Sequence, residues 1–414
     1  MDHDLTDESV YDAVRARQWS RMSRRGLLRG SAALGAGLAF AGAAPSPARA
    51  AGPIVKPLPP EWFVSHGTNA ELRWESVRTR EFLTPAERFF VRNHTATPEI
   101  DPDAYRLRLW GDGLRGAPGP GQAVEFGYGD LRSLPAETVT AAIECTGNAR
   151  GFFTTQQGQA VSGTPWRLGA IGVGRWRGVP LATVLRHAGL TPEAVDVLPS
   201  GLDAEYVDKG VVQGRVRRPL PVSKALEDVL LAYELNGRPL PPDHGFPVRV
   251  VVPGWAGIAS IKWVGDIQVA AEPLFSPWNT RYYRLFGAGH PPEGSEPVTR
   301  QNVKSAFELA WDAEIPARRR VVLTGRSWSG GGRIRRVEVS VDEGASWRPA
   351  VLERARARYA WQRWRYVWER PAKGSHVLLA RAVDETGAVQ PDTEPHNTLG
   401  YLFGAVVRHP VTVV

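Results

Sequence analysis

The sequence predicts an α+β domain followed by a second domain built as an immunoglobulin-like β-sandwich. Three observations lead to this fold class. The length of 414 residues favours two domains, and 43 Gly and 34 Pro favour frequent turns over long helices. After residue 297 the pattern changes, because short strands separated by turns replace a mixture of strands and helices. A hydrophobic content of 43% excludes an intrinsically disordered chain.

The first fifty residues follow the order of a twin-arginine export signal. Arg24 and Arg25 precede a weakly apolar stretch at 30–44, and an A-x-A cleavage site ends at Ala50. The apolar stretch of about 15 residues is too short for a membrane span, and no later segment is long enough. We therefore expect 1–50 to be a signal peptide and the protein to be exported, to the periplasm or outside the cell, without a membrane span.

Residues 51–271 are predicted to form the α+β domain. Apolar and alternating runs predict strands at 105–110 and 248–252, and helical periodicity predicts helices at 181–188 and 222–228. The proline-rich segment 272–297 lacks strong periodicity and is predicted to be an interdomain linker.

Residues 298–414 are predicted to form the immunoglobulin-like domain. Short runs separated by turns predict strands at 320–325, 334–341, 364–368, 377–383 and 406–413.

The net charge of +8 is carried by arginine, because only six of the 51 basic residues are lysines. The planar guanidinium group of arginine suits bidentate binding of oxyanions and phosphates. No basic helix, RNA-binding signature or zinc-finger spacing accompanies this charge, so we expect no nucleic-acid partner.

The single cysteine, Cys145, follows an apolar strand-like run and precedes a Gly-Asn turn. A side chain at such a junction is held rigidly and can face a cavity. Arg150 nearby would favour the thiolate, which suits a soft or high-valent metal. Taken alone, such a cysteine is more often a small buried hydrophobe. One cysteine also excludes an intrachain disulfide and a C-x-x-C-H haem attachment motif.

Several motifs that occur in a fixed order change the interpretation of Cys145 from a buried hydrophobe to a metal ligand. They are 89–94 (FFVRNH), 142–150 (AIECTGNAR), 163–166 (GTPW), 175–181 (RWRGVPL), 230–237 (LLAYELNG), 243–249 (DHGFPVR) and 261–263 (IKW). Together they resemble the molybdenum-cofactor domain of the sulfite oxidase family. The segments 328–333 (WSGGGR) and 390–393 (QPDT) resemble the C-terminal dimerisation domain of that family. The resemblance covers nearly all of the chain after residue 50.

The resemblance implies a molybdenum ion held by molybdopterin and by the thiolate of Cys145, and no haem in this chain. By matching each motif position, the residues implied to bind the cofactor are Phe90, Val91, Arg92, Asn93, His94, Cys145, Asp203, His244, Arg249, Ser260, Ile261 and Lys262. Arginine and lysine are suitable donors to its phosphate.

The resemblance also implies a cationic substrate pocket beside the metal. Arg92 and Arg150 occupy two arginine positions of the family, Trp166 a pocket wall, and Tyr283 the active-site tyrosine, although the adjacent Tyr282 leaves a register one residue away open.

The family pattern contains one further arginine near the C-terminus, at the position of Leu399 in this sequence. Losing one charge-assisted contact would weaken sulfite binding by roughly one to two orders of magnitude, unless Arg281 or Arg333 compensates.

Three functions are compared. The first is oxidation of sulfite to sulfate by oxygen-atom transfer, with electrons passed to a separate acceptor such as a cytochrome c, in a homodimer formed through the C-terminal domain. The second is the molybdenum-dependent reduction of a sulfoxide or another oxyanion. The third is a non-catalytic exported protein whose sandwich binds a partner through exposed tryptophans. The alternative for these tryptophans is packing in the core or the dimer interface. They are Trp347, Trp361, Trp364 and Trp368.

Overall fold

The computed structural model of the protein describes residues 49–77 and 81–414. The predicted signal peptide lies outside the described residues except for its last two positions, so its assignment stays a prediction. Within the described part, no helix has the length and apolar character needed to cross a bilayer.

The part of the chain before residue 281 consists of short strands and shorter helices. Its strands are β1 Arg49–Gly52, β2 Phe63–His66, β3 Asn69–Leu72, β4 Val91–Arg92, β5 Thr97–Glu99, β6 Arg106–Trp110, β7 Val124–Gly127, β8 Glu137–Glu144, β9 Ile171–Pro180, β10 Asp196–Gly201, β11 Tyr206–Asp208, β12 Val211–Gly214, β13 Leu220–Pro221, β14 Leu230–Leu235, β15 Arg238–Pro239, β16 Arg249–Val251 and β17 Val264–Ala270. Its α-helices are α1 Tyr128–Ser133, α2 Gly151–Thr155, α3 Leu181–His187, α4 Val222–Glu227 and α5 Pro277–Thr280. Single 3-10 turns occur at Trp74–Val77, Ala86–Arg88, Pro120–Gln122, Pro242–His244 and Gly257–Ala259.

Two sheets form the body of this domain. One has the strand order β13-β10-β17-β6-β7, and the other has the order β15-β14-β9-β8 with β16 paired to β14. Of these pairings, β17 with β6 is parallel and the rest are antiparallel. Leu109 and Ile267 from the first sheet meet Val179 and Leu231 from the second in one apolar core. Burial of such side chains is the main stabilising contribution to the domain.

The predicted helices and strands of this domain are present with slightly different ends. The helix predicted at 181–188 is α3, whose core-facing stripe contains Leu181, Val184, Leu185 and then Ala188. Their spacing of three, four and seven residues is that of one helix face. The helix predicted at 222–228 is α4, and the strands predicted at 105–110 and 248–252 are β6 and β16.

The C-terminal domain contains two antiparallel-rich sheets packed face to face. Its strands are β18 Lys304–Phe307, β19 Ala313–Ile315, β20 Val321–Trp328, β21 Ile334–Ser340, β22 Arg348–Pro349, β23 Val351–Leu352, β24 Gln362–Trp368, β25 Gly374–Asp384 and β26 His409–Val413. The orders are β18-β20-β24-β23 and β19-β26-β25-β21-β22. Side chains such as Leu323, Val337 and Leu378 form the core of this domain. Its assignment to the immunoglobulin-like class in particular stays a prediction.

The tryptophan surface considered for a binding protein is not formed. Trp361, Trp364 and Trp368 are buried, with 3%, 0% and 7% of their surface exposed. Trp347 is half-buried beneath the guanidinium of Arg381. These tryptophans therefore serve packing, which was the alternative considered for them.

The segment predicted to be an interdomain linker, 272–297, packs into the protein. Trp278 and Asn279 on α5 are fully buried, and Tyr283 is 5% exposed. The linker prediction missed this packing because prolines and irregular periodicity show where regular structure is absent, not where side chains are buried.

The two domains share an apolar cluster. Trp74 and Phe152 from the first domain pack with Ala306, Trp328 and Phe403 from the second. Side chains of both domains can consequently be held in one rigid site.

Candidate functional site

A cavity lies where β4, the turn after β8 and the segment 257–263 converge. Most of the predicted site residues line it: Phe90, Arg92, Asn93, His94, Cys145, Asp203, His244, Arg249, Ser260, Ile261, Lys262 and Tyr283. The structure therefore brings together residues that are spread over nearly two hundred positions of sequence.

Val91 and Trp166 do not line the cavity. Val91 is buried on β4, where alternation along the strand sends neighbouring side chains to opposite faces. Trp166 is 1% exposed and packs with Phe90 and Ile143 in the apolar cluster against which Cys145 rests. The indole ring packs in the cluster next to the cavity and is not among the lining residues, so its role as a wall of the substrate pocket stays a prediction.

Cys145 lies where the sequence predicted it, at the end of a strand. Strand β8 ends at Glu144, and the backbone N–H of Cys145 then donates to the carbonyl oxygen of Ala170 at 2.9 Å. The Cys145 carbonyl accepts a hydrogen bond from the backbone N–H of Asn148 at 2.8 Å. Backbone bonds on both sides hold the thiol in a fixed direction toward the cavity.

A buried polar network behind Cys145 was not predicted. Glu144 Oε1 accepts from Lys304 Nζ at 2.8 Å and from Asn148 Nδ2 at 2.9 Å, while Glu144 Oε2 accepts from Trp328 Nε1 at 3.0 Å. Glu144 and Lys304 are both almost fully buried. Two strands of the C-terminal domain therefore hold the turn that presents Cys145. The one signal of this network in the sequence was Lys304, which lies in the mostly apolar run 303–307.

One end of the cavity concentrates positive charge. Arg249 donates to the carbonyl oxygens of His244 and Ser260, at 3.0 and 2.9 Å, and Lys262 donates to the Asp243 carbonyl oxygen at 2.8 Å and to the side-chain oxygen of Asn93. Burial lowers the pKa of Arg249 to about 9, and burial and the Arg249 charge hold the pKa of Lys262 well below its usual value. A bound anion would stabilise both charges.

Lys56 adds a third cation from the N-terminal arm. The backbone N–H groups of Val55 and Lys56 donate to the Asp243 carboxylate at 3.0 and 2.8 Å. The Lys56 ammonium donates to the Phe89 carbonyl oxygen and lies 3.5 Å from His244 Nε2. Burial lowers the pKa of Lys56 to about 7. Sequence analysis missed this residue because its partner is 188 positions away.

His94 and Asp203 lie between the two ends of the cavity. Burial and the charges of Arg92 and Lys262 hold the pKa of His94 well below its usual value, so the ring is neutral. Trp278 Nε1 donates to His94 Nε2 at 3.1 Å, which places the ring proton on Nδ1. Burial raises the pKa of Asp203 to about 7. Near neutral pH this carboxyl group can therefore donate or accept a hydrogen bond.

These groups fit the molybdopterin and molybdenum that the motifs imply. Asp203 Oδ1 and Thr146 Oγ1 are buried polar atoms without a hydrogen-bond partner, and both residues line the cavity. Buried polar atoms without partners are rare, so they indicate a polar ligand such as a pterin edge. Arg249 and Lys262 match a phosphate, and the thiolate of Cys145 matches a soft metal.

Tyr283, rather than Tyr282, faces the cavity. The Tyr282 hydroxyl donates to Asp208 Oδ2 at 2.6 Å, away from the cavity-lining set, whereas Tyr283 lines the cavity. The Tyr283 backbone has φ of +56°, an unusual conformation for a bulky residue. The Val298 backbone N–H donates a hydrogen bond to the carbonyl oxygen of Tyr283 at 2.8 Å. The register predicted from the motif is the one that the geometry supports.

Arg92 adds a further positive charge to the cavity lining, in the electrostatic reach of Cys145 and Tyr283. Its Nη1 donates to the Asn93 carbonyl oxygen at 2.7 Å, and within the described ranges no carboxylate forms an ion pair with it. Burial opposes its charge, but the pKa of Arg92 is raised overall by neighbours that become negative on ionising. These neighbours are Tyr283, Cys145, Tyr401 and Tyr206. Phenols are protonated at neutral pH, so the charge of Arg92 is available for an anion.

Arg150 lies beside the cavity and is bound by backbone carbonyls. Its Nε donates to the Leu399 oxygen at 2.8 Å and its Nη1 to the Thr164 oxygen at 3.0 Å. Gly147 makes room for it, because a Cβ there would lie 2.5 Å from Nη2. The guanidinium also lies over the Tyr401 ring, 5.3 Å from its centre. Arg150 is held against this wall outside the cavity lining, and its role in binding substrate stays a prediction.

Tyr401 is a site residue that sequence analysis missed. Its ring stacks on Tyr283 with centres 5.0 Å apart and an interplanar angle of 11°.

Neither Arg281 nor Arg333 takes the place of the arginine that the family pattern contains at the position of Leu399. Arg281 pairs with Asp208 at 3.1 Å, and Arg333 is exposed on the C-terminal domain.

Replacing Lys262 with methionine is expected to weaken cofactor binding by roughly 10- to 100-fold. The purified variant should therefore contain less cofactor than the native protein. The reason is the loss of a charge-assisted donor to the cofactor phosphate. Molybdenum analysis and pterin fluorescence after oxidation measure the content, and the exposed Lys373→Met variant is the control. Unchanged content in Lys262→Met, with normal thermal unfolding, would contradict this assignment.

Comparison with known proteins gives two family matches. Residues 94–278 match the oxidoreductase molybdopterin binding domain, and residues 296–413 match the Mo-co oxidoreductase dimerisation domain. Mitochondrial sulfite oxidase of Homo sapiens is 38% identical over 331 residues, which are 76% of this chain and 58% of the human protein. Sulfite oxidase of Arabidopsis thaliana is 32% identical over 344 residues, 77% of this chain and 84% of the plant protein.

A solved structure shows the same fold. The sulfane dehydrogenase SoxCD from Paracoccus pantotrophus superposes with a TM-score of 0.69 and 28% identity, covering 82% of this chain and 82% of that chain. The chain spans only 58% and 62% of the length of the human and rat sulfite oxidases that it matches.

Proposed function

The chain belongs to the sulfite oxidase family of molybdopterin oxidoreductases, and from this premise we propose that it oxidises sulfite to sulfate by oxygen-atom transfer. The observation that carries the proposal is the convergence of Cys145, Arg92 and Tyr283 on one cavity whose opposite end is cationic. That arrangement offers a metal ligand, an anion-binding group and a hydrogen-bond donor near one another.

The bound cofactor would supply oxygen-atom transfer with two-electron redox chemistry. Cys145 would hold the metal, and Arg249 and Lys262 would bind the phosphate, with Lys56 beside His244 behind them. At the other end, the Arg92 guanidinium binds the substrate oxyanion and neutralises its charge. The Tyr283 hydroxyl, which makes no hydrogen bond to the described residues, is free to donate to a substrate oxygen. Burial raises the pKa of Tyr283, so this donor stays protonated.

Partners and location are part of the proposal. The dimerisation domain match supports a homodimer through the C-terminal domain. The electrons would leave one at a time to a separate acceptor, such as a cytochrome c. The twin-arginine pattern of the first fifty residues supports export to the periplasm or the outside of the cell. Because SoxCD is a sulfane dehydrogenase, a sulfur substrate other than sulfite also fits this fold.

The test is a sulfite-dependent assay on the cofactor-loaded protein. We expect stoichiometric molybdenum and pterin, and reduction of cytochrome c or ferricyanide when sulfite is added. Full loading without sulfite turnover would contradict the substrate while leaving the family intact. Reduction of methionine sulfoxide by the dithionite-reduced protein, in the absence of sulfite turnover, would instead establish the reductase alternative.

A further inference from the structure

We propose that the same site also oxidises organic sulfinates, R–SO₂⁻, whose substituent R is apolar. This inference rests on the proposed oxygen-transfer function and names an additional substrate class for it. Two features carry it: the substrate end offers a single available cation, and the wall beside that cation is aromatic and aliphatic.

The available charge at the substrate end comes from Arg92. The cations that line the cavity are Arg92, Arg249 and Lys262, whereas Arg150 lies outside the lining, with its guanidinium over Tyr401. Lys262 and Arg249 are linked to Asp243, His244 and Ser260 at the cofactor end. One guanidinium without a carboxylate partner suits a singly charged anion. A sulfinate has one charge, whereas sulfite can have two.

The wall beside Arg92 is apolar. Tyr283 and Tyr401 stack and pack with buried Ile258 and half-buried Leu399 in one cluster. Ile258, Tyr283 and half-buried Val216 line the same cavity as Arg92 and Cys145. Leu399 packs against the cluster that contains Tyr283 and Tyr401, on the loop whose carbonyl oxygen binds Arg150, and does not itself line the cavity. Such a wall can bury a substituent, and each buried methylene should raise kcat/KM about fourfold.

The reaction balances without a further reactant beyond water and the acceptor. The sulfinate sulfur donates its lone pair to form one new S–O bond, giving R–SO₃⁻. Water is the net source of the added oxygen, so the net change is R–SO₂⁻ + H₂O → R–SO₃⁻ + 2 H⁺ + 2 e⁻. Two equivalents of a one-electron acceptor, ferricyanide in the assay, take the electrons, and the two protons pass to solvent.

The experiment compares sulfite, methanesulfinate and benzenesulfinate on the cofactor-loaded full chain, with sulfonate identified by mass spectrometry in ¹⁸O water. We expect benzenesulfinate to exceed methanesulfinate in kcat/KM by about tenfold or more, since it buries more apolar area. As a readout independent of turnover, calorimetry should show benzenesulfonate binding more tightly than sulfate.

Variants of the loop test the cause. Leu399→Arg is expected to raise kcat/KM for sulfite and lower it for benzenesulfinate, each by about tenfold, because it puts a cation against the apolar cluster that backs the wall. Thr398→Arg adds the same charge at the adjacent exposed position and should change neither. If Leu399→Arg does not fold, Leu399→Gln should still lower benzenesulfinate turnover severalfold while sparing sulfite.

The possible failures are distinguishable. Sulfite turnover without any sulfonate from either sulfinate would overturn this inference and leave the proposed function standing. A molybdenum-loaded protein that oxidises neither substrate class would overturn both. An unchanged preference in the folded Leu399 variants would also overturn the inference, because the wall would then play no part in selection.

Discussion

Replacing Cys145 with serine is expected to lower sulfite turnover by more than about 100-fold, since disturbing even an outer partner of a metal ligand costs 10- to 100-fold. Serine keeps the size of the side chain but replaces a soft, readily ionised sulfur with a hard hydroxyl that stays protonated at neutral pH. The backbone bonds that fix this position, to Ala170 and from Asn148, do not involve the side chain. The fold should therefore survive the change.

The measurement is molybdenum per chain together with the sulfite-dependent rate. Molybdenum should fall more than pterin, because Arg249 and Lys262 still bind the phosphate. Thr138→Ser, a polar exchange at an exposed position of the same strand β8, is the control and should retain both. Native molybdenum content and native turnover in Cys145→Ser would show that the sulfur is not a ligand, and would favour the buried-hydrophobe interpretation.

The residues predicted to bind the cofactor come in short segments with local geometry, and the structure brings most of them together around one cavity. Residues 89–94 form one strand and turn, and Cys145 directly follows another strand. Within each segment, the residue types already indicate their chemistry. Such short-range relations are what motifs encode.

The substrate side was predicted less well, because it depends on pairs that are distant in sequence. Tyr401 reaches Tyr283 across the domain boundary, and the role of Arg150 depends on carbonyl oxygens from the loop at Leu399. The family resemblance implied that Arg150 binds substrate. Only the folded structure shows that backbone acceptors already take two of its donors. Buried acceptors compete for guanidinium groups in ways that no spacing rule captures.

The fold shows the same limit. Periodicity located α3, α4 and most strands of the C-terminal domain, because burial on one face leaves a pattern. It left 272–297 as a linker, although Trp278 and Tyr283 there are buried against the site. Irregular backbone leaves no period, so tertiary packing alone decides the placement of that segment.

Replacing Lys304 with methionine is expected to lower the free energy of unfolding by about 3–5 kcal/mol, because it leaves the Glu144 carboxylate buried without its cation. The ion pair is 2.8 Å long, and both side chains are about 3–4% exposed. Urea unfolding of the cofactor-free forms measures the change. The matched control is Arg320→Met, which breaks an ion pair with Glu369 in which both side chains are more than 60% exposed. That change should cost about 0–1 kcal/mol.

The double variant Glu144→Gln/Lys304→Met separates the charge from the packing. Removing both charges should recover part of the lost stability, because the buried carboxylate is gone, while the amide oxygen can still accept from either Asn148 or Trp328. Since Glu144 directly precedes Cys145, the single variant should also retain less molybdenum, and the double variant more than the single. Equal stability of the single and double variants would mean that Lys304 stabilises the turn through packing alone. The C-terminal domain would then support the metal ligand by shape and not by charge.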